Sequence, residues 1–343
     1  MDIYIYNTLT GKKEKFLPIN DGKVGFYLCG PTVYDYFHIG NARPFVIFDV
    51  IRRYLEYLGY EVRYVVNLTD VDDKIIKRAK QEGKSVEEIA TEYTEAYYED
   101  IKKLGIKSAT VNPKATEHIS EMVKMIEILL EKGYAYRIDG DIYFDVSRYK
   151  EYGKLSGKKI DELVAGARVE LVEGKKNPLD FALWKSPKEG EIFWDTPVGK
   201  GRPGWHLECS AMSMKYLGEE FDIHAGAEDL IFPHHENEIA QSVCTTGKKF
   251  VRYWMHIRFL KIGKEKMAKS LGNYFTAREV VDKYGKEAVR LFFLQKHYRN
   301  PINFDDKILY ESRRAVSKIG VNYEKIKEFL EGKELDKIEN ETI

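Results

Sequence analysis

Val24-Gly25-Phe26-Tyr27-Leu28-Cys29-Gly30-Pro31-Thr32 begins with five residues that read as a short buried strand and ends in a Cys-Gly-Pro break. Beyond a short loop, His38-Ile39-Gly40-Asn41 leads into Pro44-Phe45-Val46-Ile47-Phe48-Asp49-Val50-Ile51-Arg52-Arg53-Tyr54-Leu55, an apolar run of helical texture. Tyr60 to Asn67, centred on Val62, Tyr64, Val65 and Val66, reads as the next strand. Strand, helix, strand is the opening of a parallel α/β sheet, and the chain is assigned to the α/β class on that basis.

Outward from this unit, residues 85–106 and 115–132 read as amphipathic helices, the second with Met122, Met125, Ile126, Leu129 and Leu130 at helical spacing. From Tyr134 to about Lys200 short strands such as Ile142-Tyr143-Phe144-Asp145-Val146 alternate with Gly- and Pro-containing loops, the texture of an insertion. Strand and helix alternation resumes near Trp205, with Phe221-Asp222-Ile223-His224 as a strand and Glu236 to Cys244 as a helix. The tail from about Ile308 is helical and rich in Lys and Glu.

The 343 residues are 43% hydrophobic and 32% charged, the balance of a soluble globular protein of two or three folded units. No stretch approaches the ~20 apolar residues of a membrane span, and the N-terminus lacks the basic start and apolar core of a signal peptide. A cytoplasmic protein with no membrane partner is expected. Three cysteines in a chain this long do not make a disulfide scaffold, so their thiols are available as metal ligands. Lys plus Arg and Asp plus Glu number 55 each, so bulk charge gives no support for a nucleic-acid partner, and any RNA contact has to come from local basic patches.

Three groups of residues could carry chemistry. His38-Ile39-Gly40-Asn41 stands at a helix start, where unpaired N–H groups and the positive dipole end suit phosphate; it also fits a plain capping turn. Lys264-Glu265-Lys266-Met267-Ala268-Lys269-Ser270, followed by Leu271-Gly272-Asn273, is a loop that could close over a triphosphate, or simply a solvated basic loop. Cys29, Cys209, His234 and Glu238 are plausible zinc ligands, and His234 and Glu238, four apart, share a helix face. Spacing leaves open two buried structural cysteines instead, and His235 as an alternative ligand at i, i+3 from Glu238.

His38-Ile39-Gly40-Asn41 resembles the HIGH signature, and Lys266-Met267-Ala268-Lys269-Ser270 the KMSKS signature, of the class I aminoacyl-tRNA synthetases, in that family's order and separated by an insertion. Cys29-Gly30-Pro31-Thr32-Val33-Tyr34, Thr69-Asp70-Val71-Asp72-Asp73-Lys74-Ile75, Gly204 to Met212 and Phe232 to Glu238 resemble the cysteinyl-tRNA synthetases, and the similarity runs from about residue 2 to about 320.

The resemblance implies a Rossmann-type catalytic domain in two halves, residues 1–115 and 204–262, split by a connective insertion at 116–203. A lysine-signature loop and stem-contact region follow at 263–310, and 311–343 begins a helical anticodon-binding domain most of which is missing. It implies one zinc ion on Cys29, Cys209, His234 and Glu238, which would also take the substrate thiolate, together with Mg²⁺ brought by ATP. Its implied partners are tRNA(Cys), ATP and L-cysteine, for a monomer. His38, Asn41, Lys266 and Lys269 take the catalytic roles. His38, Gly40, Asn41, His224, Gly226, Lys266 and Lys269 face ATP. Gly30, Thr69, Trp205 and Asp229 line the cysteine pocket, while the acidic run Asp70, Asp72, Asp73 orders a loop.

Two positions depart from the family pattern. Asn41 replaces a His and cannot become cationic, and Ala268 replaces a Ser and loses a hydroxyl. Two other activities fit parts of the pattern: ligation of cysteine to an amino-sugar, as in mycothiol synthesis, and a non-catalytic zinc-containing RNA-binding module.

Overall fold

The computed structural model describes residues 2–158, 173–262, 265–266 and 274–331, with only the backbone of Ile262, Glu265 and Lys266. Lys269 and Ala268 of the second signature lie outside the described residues, as do residues 332–343 of the expected C-terminal unit.

Four parallel strands form the central sheet, in the order Val251–Ile257, Phe221–Ala227, Lys23–Leu28, Glu61–Val66. The chain enters in the middle of the sheet and builds to both sides, so the carboxyl ends of Lys23–Leu28 and Phe221–Ala227 flank a topological switch point, where open α/β sheets bind ligands. The strands are apolar on both faces because helices cover both.

Alternation along the strands separates the two layers. Phe26, Leu28, Tyr64, Val66, Ile223 and Ala225 pack with the helix Ile39–Tyr57 and the helices Ala277–Tyr284 and Lys286–Leu294. Tyr27, Cys29, Val65 and Trp254 face the other way, in one cluster with Cys209 and Ile239. Those two residues come from the helices Trp205–Leu217 and Glu236–Thr246.

The helix expected over Pro44 to Leu55 begins earlier, at Ile39, with His38 as its N-cap. Its first three turns are buried on nearly every side, between the sheet and the later helices. Inside it, the fully buried Asp49 accepts from Arg53 Nε (3.0 Å), Arg290 Nη2 (2.7 Å) and the Lys107 amide (2.9 Å), which ties it to the Lys286–Leu294 helix and the 105–110 loop.

The insertion contains the helix Ile119–Glu131 and a four-stranded antiparallel sheet of Ala135–Ile138, Asp141–Phe144, Phe181–Lys185 and Arg202–Pro203. Its core includes Met122, Ile126, Phe144 and Trp184 and continues into Leu207, Met212 and Cys244 of the catalytic helices. Cys244 is thus a core residue. The acidic run does order its loop: Asp70 accepts from Thr116, Asp72 caps the helix Asp73–Glu82, and Asp73 pairs with Lys185 and Arg202 of the insertion.

Candidate metal centre and nucleotide site

Cys29 follows the last residue of the central strand, and its amide donates to Ala225 O across the switch point (3.2 Å). Gly30 comes next because nothing larger fits: a Cβ there would lie 1.6 Å from Asn67 O. Its amide donates to Asn67 Oδ1 (2.8 Å).

Cys209 lies one turn into the helix Trp205–Leu217, which starts at Gly204, where a Cβ would meet Ala182 O at 1.9 Å. His234 sits in the turn Ile231–His235 that runs on into Glu236–Thr246, and one turn later Glu238 Oε1 lies 3.1 Å from His234 Nε2. Gln241 Nε2 donates to His206 O and Ser210 Oγ (both 2.9 Å), which fixes the two ligand-bearing helices against each other.

These elements bring the ligand atoms of Cys29, Cys209, His234 and Glu238 within 4.8 Å of one another, all buried. The two sulfurs are 3.8 Å apart, and Cys29 Sγ is 3.7 Å from Glu238 Oε1. Two thiolates, an imidazole and a carboxylate at this spacing match the donor set and four-coordination of zinc.

A second group, Cys29, His224, His235 and Glu238, meets the same distance test. It has one sulfur, and its two imidazoles are already engaged. His224 Nε2 is 2.8 Å from Glu238 Oε2, with its ring stacked on Trp254 at 4.5 Å, and His235 Nε2 is 3.2 Å from Cys29 Sγ. The first group also borders the half-exposed Trp205, whose ring lies 4.1 Å from that of His234. With two sulfurs the first group is the better match to zinc's donor set, and the histidines of the second surround it.

These surrounding histidines form two chains. Along one, Thr8 Oγ1 is 2.8 Å from His256 Nδ1, His256 Nε2 is 2.8 Å from His235 Nδ1, and His235 Nε2 is 3.2 Å from Cys29 Sγ; where Cys29 is a thiolate, the chain runs with Thr8 donating to His256, His256 to His235 and His235 to Cys29. Along the other, His234 Nδ1 meets His206 Nδ1 (2.9 Å), leaving Nε2 turned to the ligand cluster. Ligating histidines regularly donate their second N–H in this way.

Burial holds His206, His235 and His256 below the ordinary imidazole range, so they are neutral. Burial opposes ionisation of Glu238 too, but His224 and His234 outweigh it and lower its pKa. Against its own burial, His234 is raised by Cys209 and Glu238.

The other expected site residues divide. Thr69 is buried and donates to Glu208 Oε2 (2.7 Å), behind the ligand-bearing Cys209. Trp205 stands at the rim and Asp229 on the exposed surface. Gly226 packs under His235, 2.8 Å from where its Cβ would be. His224 lies wholly buried against Glu238, among the metal-site residues.

His38 accepts the Asn41 amide on Nδ1 (3.2 Å), which leaves the ring proton on Nε2. Both ends of the segment 263–273 are fastened to this helix start. Ile39 N donates to Phe275 O (2.9 Å), Ala277 N to Phe37 O (2.7 Å), and the buried Arg43 guanidinium to the carbonyls of Arg258, Phe259 and Asn300. Lys266 itself lies in the short strand Glu265–Lys266, paired with Leu260–Ile262, and the described residues on either side of the signature are bonded to the helix of His38, Gly40 and Asn41. Arg43, His206 and His256 were not singled out in the sequence, whereas His224 was expected to face ATP and His235 to be an alternative ligand.

The family described as "tRNA synthetases class I (C) catalytic domain" matches residues 15–314. A curated cysteine–tRNA ligase of Carboxydothermus hydrogenoformans is 58% identical over 324 residues, 94% of this chain and 70% of that protein. One of Caldicellulosiruptor saccharolyticus is 56% identical over 326 residues, 95% of this chain and 70% of that protein. Among solved structures, Mycobacterium tuberculosis methionyl-tRNA synthetase with methionyl-adenylate superposes with a TM-score of 0.67 at 15% identity, over 84% of this chain and 67% of that one. A leucyl-tRNA synthetase of Agrobacterium radiobacter K84 superposes with a TM-score of 0.64 at 12% identity, over 89% of this chain and 72% of that one. These two likenesses bear on the fold alone.

Proposed function

The chain belongs to the cysteine–tRNA ligases, class I synthetases by their catalytic domain, and we propose from that premise a mechanism and a set of site residues. It activates L-cysteine with ATP and transfers it to tRNA(Cys). The observation that carries the site assignment is the buried convergence of Cys29, Cys209, His234 and Glu238 at the switch point.

Zinc on these four residues would hold the substrate's thiolate, so that serine, whose hydroxyl stays protonated, is rejected without editing. Trp205 closes the pocket beside His234. Thr69 and Gly30 shape its wall from the strand ends, and Asp229 stands on its outer side to meet the amino group. Glu238 is oriented by His224.

The cysteine carboxylate oxygen attacks the α-phosphorus of ATP in line; the new P–O bond forms as the Pα–O–Pβ bond breaks, and pyrophosphate leaves. Nε2–H of His38 and the side-chain amide of Asn41 hold phosphate oxygens at the helix start, and Gly40 admits them closely. Lys266 and Lys269, with Mg²⁺ carried in by ATP, offset the charge gathering on the leaving pyrophosphate. A terminal ribose hydroxyl of the tRNA then attacks the aminoacyl carbonyl and AMP departs. The protein works as a cytoplasmic monomer, with a catalytic domain over 1–115 and 204–262 and an insertion at 116–203. No helix among the described residues is long and apolar enough to cross a membrane.

Cysteine-dependent ATP–pyrophosphate exchange, charging of a tRNA(Cys) transcript, and zinc content on one sample test this reading together. Cys209→Ser and His234→Ala are expected to lose most of their zinc; full occupancy in both would overturn the ligand assignment.

A further inference from the structure

Tyr27 is the central strand's residue two before Cys29, so the two side chains share a face of the sheet. It is 0% exposed and lies in the same buried cluster as Cys29 and Cys209. Its partner in register on the next strand is His224, and the two rings are 5.0 Å apart. Sequence pattern makes this position a core aromatic, where phenylalanine would pack as well. Yet it carries a hydroxyl, fully enclosed, that makes no regular hydrogen bond among the described residues. Leaving a buried hydroxyl unpaired costs roughly 1–3 kcal/mol, so a tyrosine here calls for an explanation.

Two of the four candidate ligands, Cys29 and Cys209, lie with Tyr27 in that cluster, and after burial the groups that push its hydroxyl's pKa up are Cys209, Cys29 and Glu238. Two of the other candidate ligands each have an imidazole from outside the set beside them: His235 Nε2 is 3.2 Å from Cys29 Sγ and His224 Nε2 is 2.8 Å from Glu238 Oε2. The imidazole that acts on Cys209 is that of His234, itself a candidate ligand, so among the hydrogen bonds described Cys209 has no imidazole from outside the set.

We propose that Tyr27 is the positioning residue for Cys209: its hydroxyl donates to the Cys209 thiolate when zinc is bound, so that Cys29, Glu238 and Cys209 each have one partner from outside the ligand set. The inference rests on the zinc assignment above. With two cysteinates, a glutamate and a substrate thiolate around a divalent ion, the formal charge in this dry pocket is −2. Neutral donors spread that charge without the desolvation cost of a buried cation. Hydrogen bonds to ligand atoms also fix their direction, and removing such a partner commonly lowers metal affinity 10–100-fold.

Tyr27→Phe keeps the ring and removes only the hydroxyl. In the full chain loaded with zinc, chelator competition read with a colorimetric zinc indicator is expected to give affinity at least about ten-fold weaker than the parent. Thermal unfolding of the metal-stripped variant is expected to match or exceed the parent, because its hydroxyl has no regular partner there. In the cobalt-substituted protein, loss of the hydrogen bond raises the sulfur donor orbitals, so the sulfur-to-cobalt charge-transfer band moves to longer wavelength. A structural role alone would not move that band. Parental zinc affinity with an unshifted band would overturn the proposal. If the parent itself holds no zinc, the earlier assignment fails as well; a difference between parent and variant at equal folded fraction bears on Tyr27 alone.

Discussion

Gly30→Ala tests whether the candidate metal centre depends on the close approach of two strand ends. The new Cβ would sit 1.6 Å from Asn67 O and 2.7 Å from Asn67 C. A carbon and a carbonyl oxygen at rest are about 3.3 Å apart or more, so one backbone segment has to retreat by roughly 1.7 Å or more. Two constraints resist that retreat, the bond from Gly30 N to Asn67 Oδ1 and the bond from Cys29 N to Ala225 O. Cys29 is covalently next to the clash, so its Sγ moves with it. Zinc–ligand distances tolerate only about 0.2 Å, and misplacing a reactant by about 1 Å can cost ~100-fold in rate. Gly30→Ala is therefore expected to hold a small fraction of the parental zinc and to lose about 100-fold in kcat/KM for cysteine. The assays are zinc content by atomic absorption and pyrophosphate exchange against cysteine concentration, with circular dichroism to verify folding. Gly320→Ala is the matched control: its Cβ meets nothing within 4 Å in the helix Asp306–Glu331, so it should be neutral or slightly stabilising. Parental zinc and KM in Gly30→Ala would refute the claim that this contact sets the position of Cys29.

Asp49→Ala leaves Arg290 without the carboxylate it meets at 2.7 Å in a fully buried setting, and should destabilise by about 3–5 kcal/mol in urea unfolding. Thr69→Val removes the hydroxyl that donates to the enclosed Glu208. A loss of about 1–3 kcal/mol is expected, seen as a lower Tm, and an unchanged Tm would mean that Glu208 is satisfied otherwise. Lys269→Ala should slow pyrophosphate exchange about 100-fold or more while cysteine affinity and zinc content stay parental; exchange at the parental rate would remove the role given to this lysine.

Local patterns were legible along the chain, and pairings between distant residues were not. The order strand, helix, strand from Val24 to Asn67 could be read because buried parallel strands and their covering helix are long apolar runs. The early start of that helix, at Ile39, was obscured by Gly40 and Pro44, residues with poor intrinsic helix propensity that are held there by burial and by the His38 cap. Cys29, Cys209, His234 and Glu238 converge across 209 residues of sequence, and spacing by itself left them indistinguishable from buried thiols and a histidine-rich turn. Only the i, i+4 relation of His234 and Glu238 was local enough to be read directly. The surrounding histidines are harder still. His206, His224 and His256 lie on three different elements, and each matters through a partner on another: His234, Glu238 and His235. Alternation along Phe221–Ala227 and Val251–Ile257 marks His224 and His256 only as inward-facing positions. A polar residue on the inward face of a buried parallel strand, close to the carboxyl end at a switch point, is therefore itself a signal. Burial there costs free energy unless a partner compensates, and at a ligand-binding edge that partner is a site residue. Tyr27, His224 and His256 all satisfy that description, and all three lie around the same four ligands.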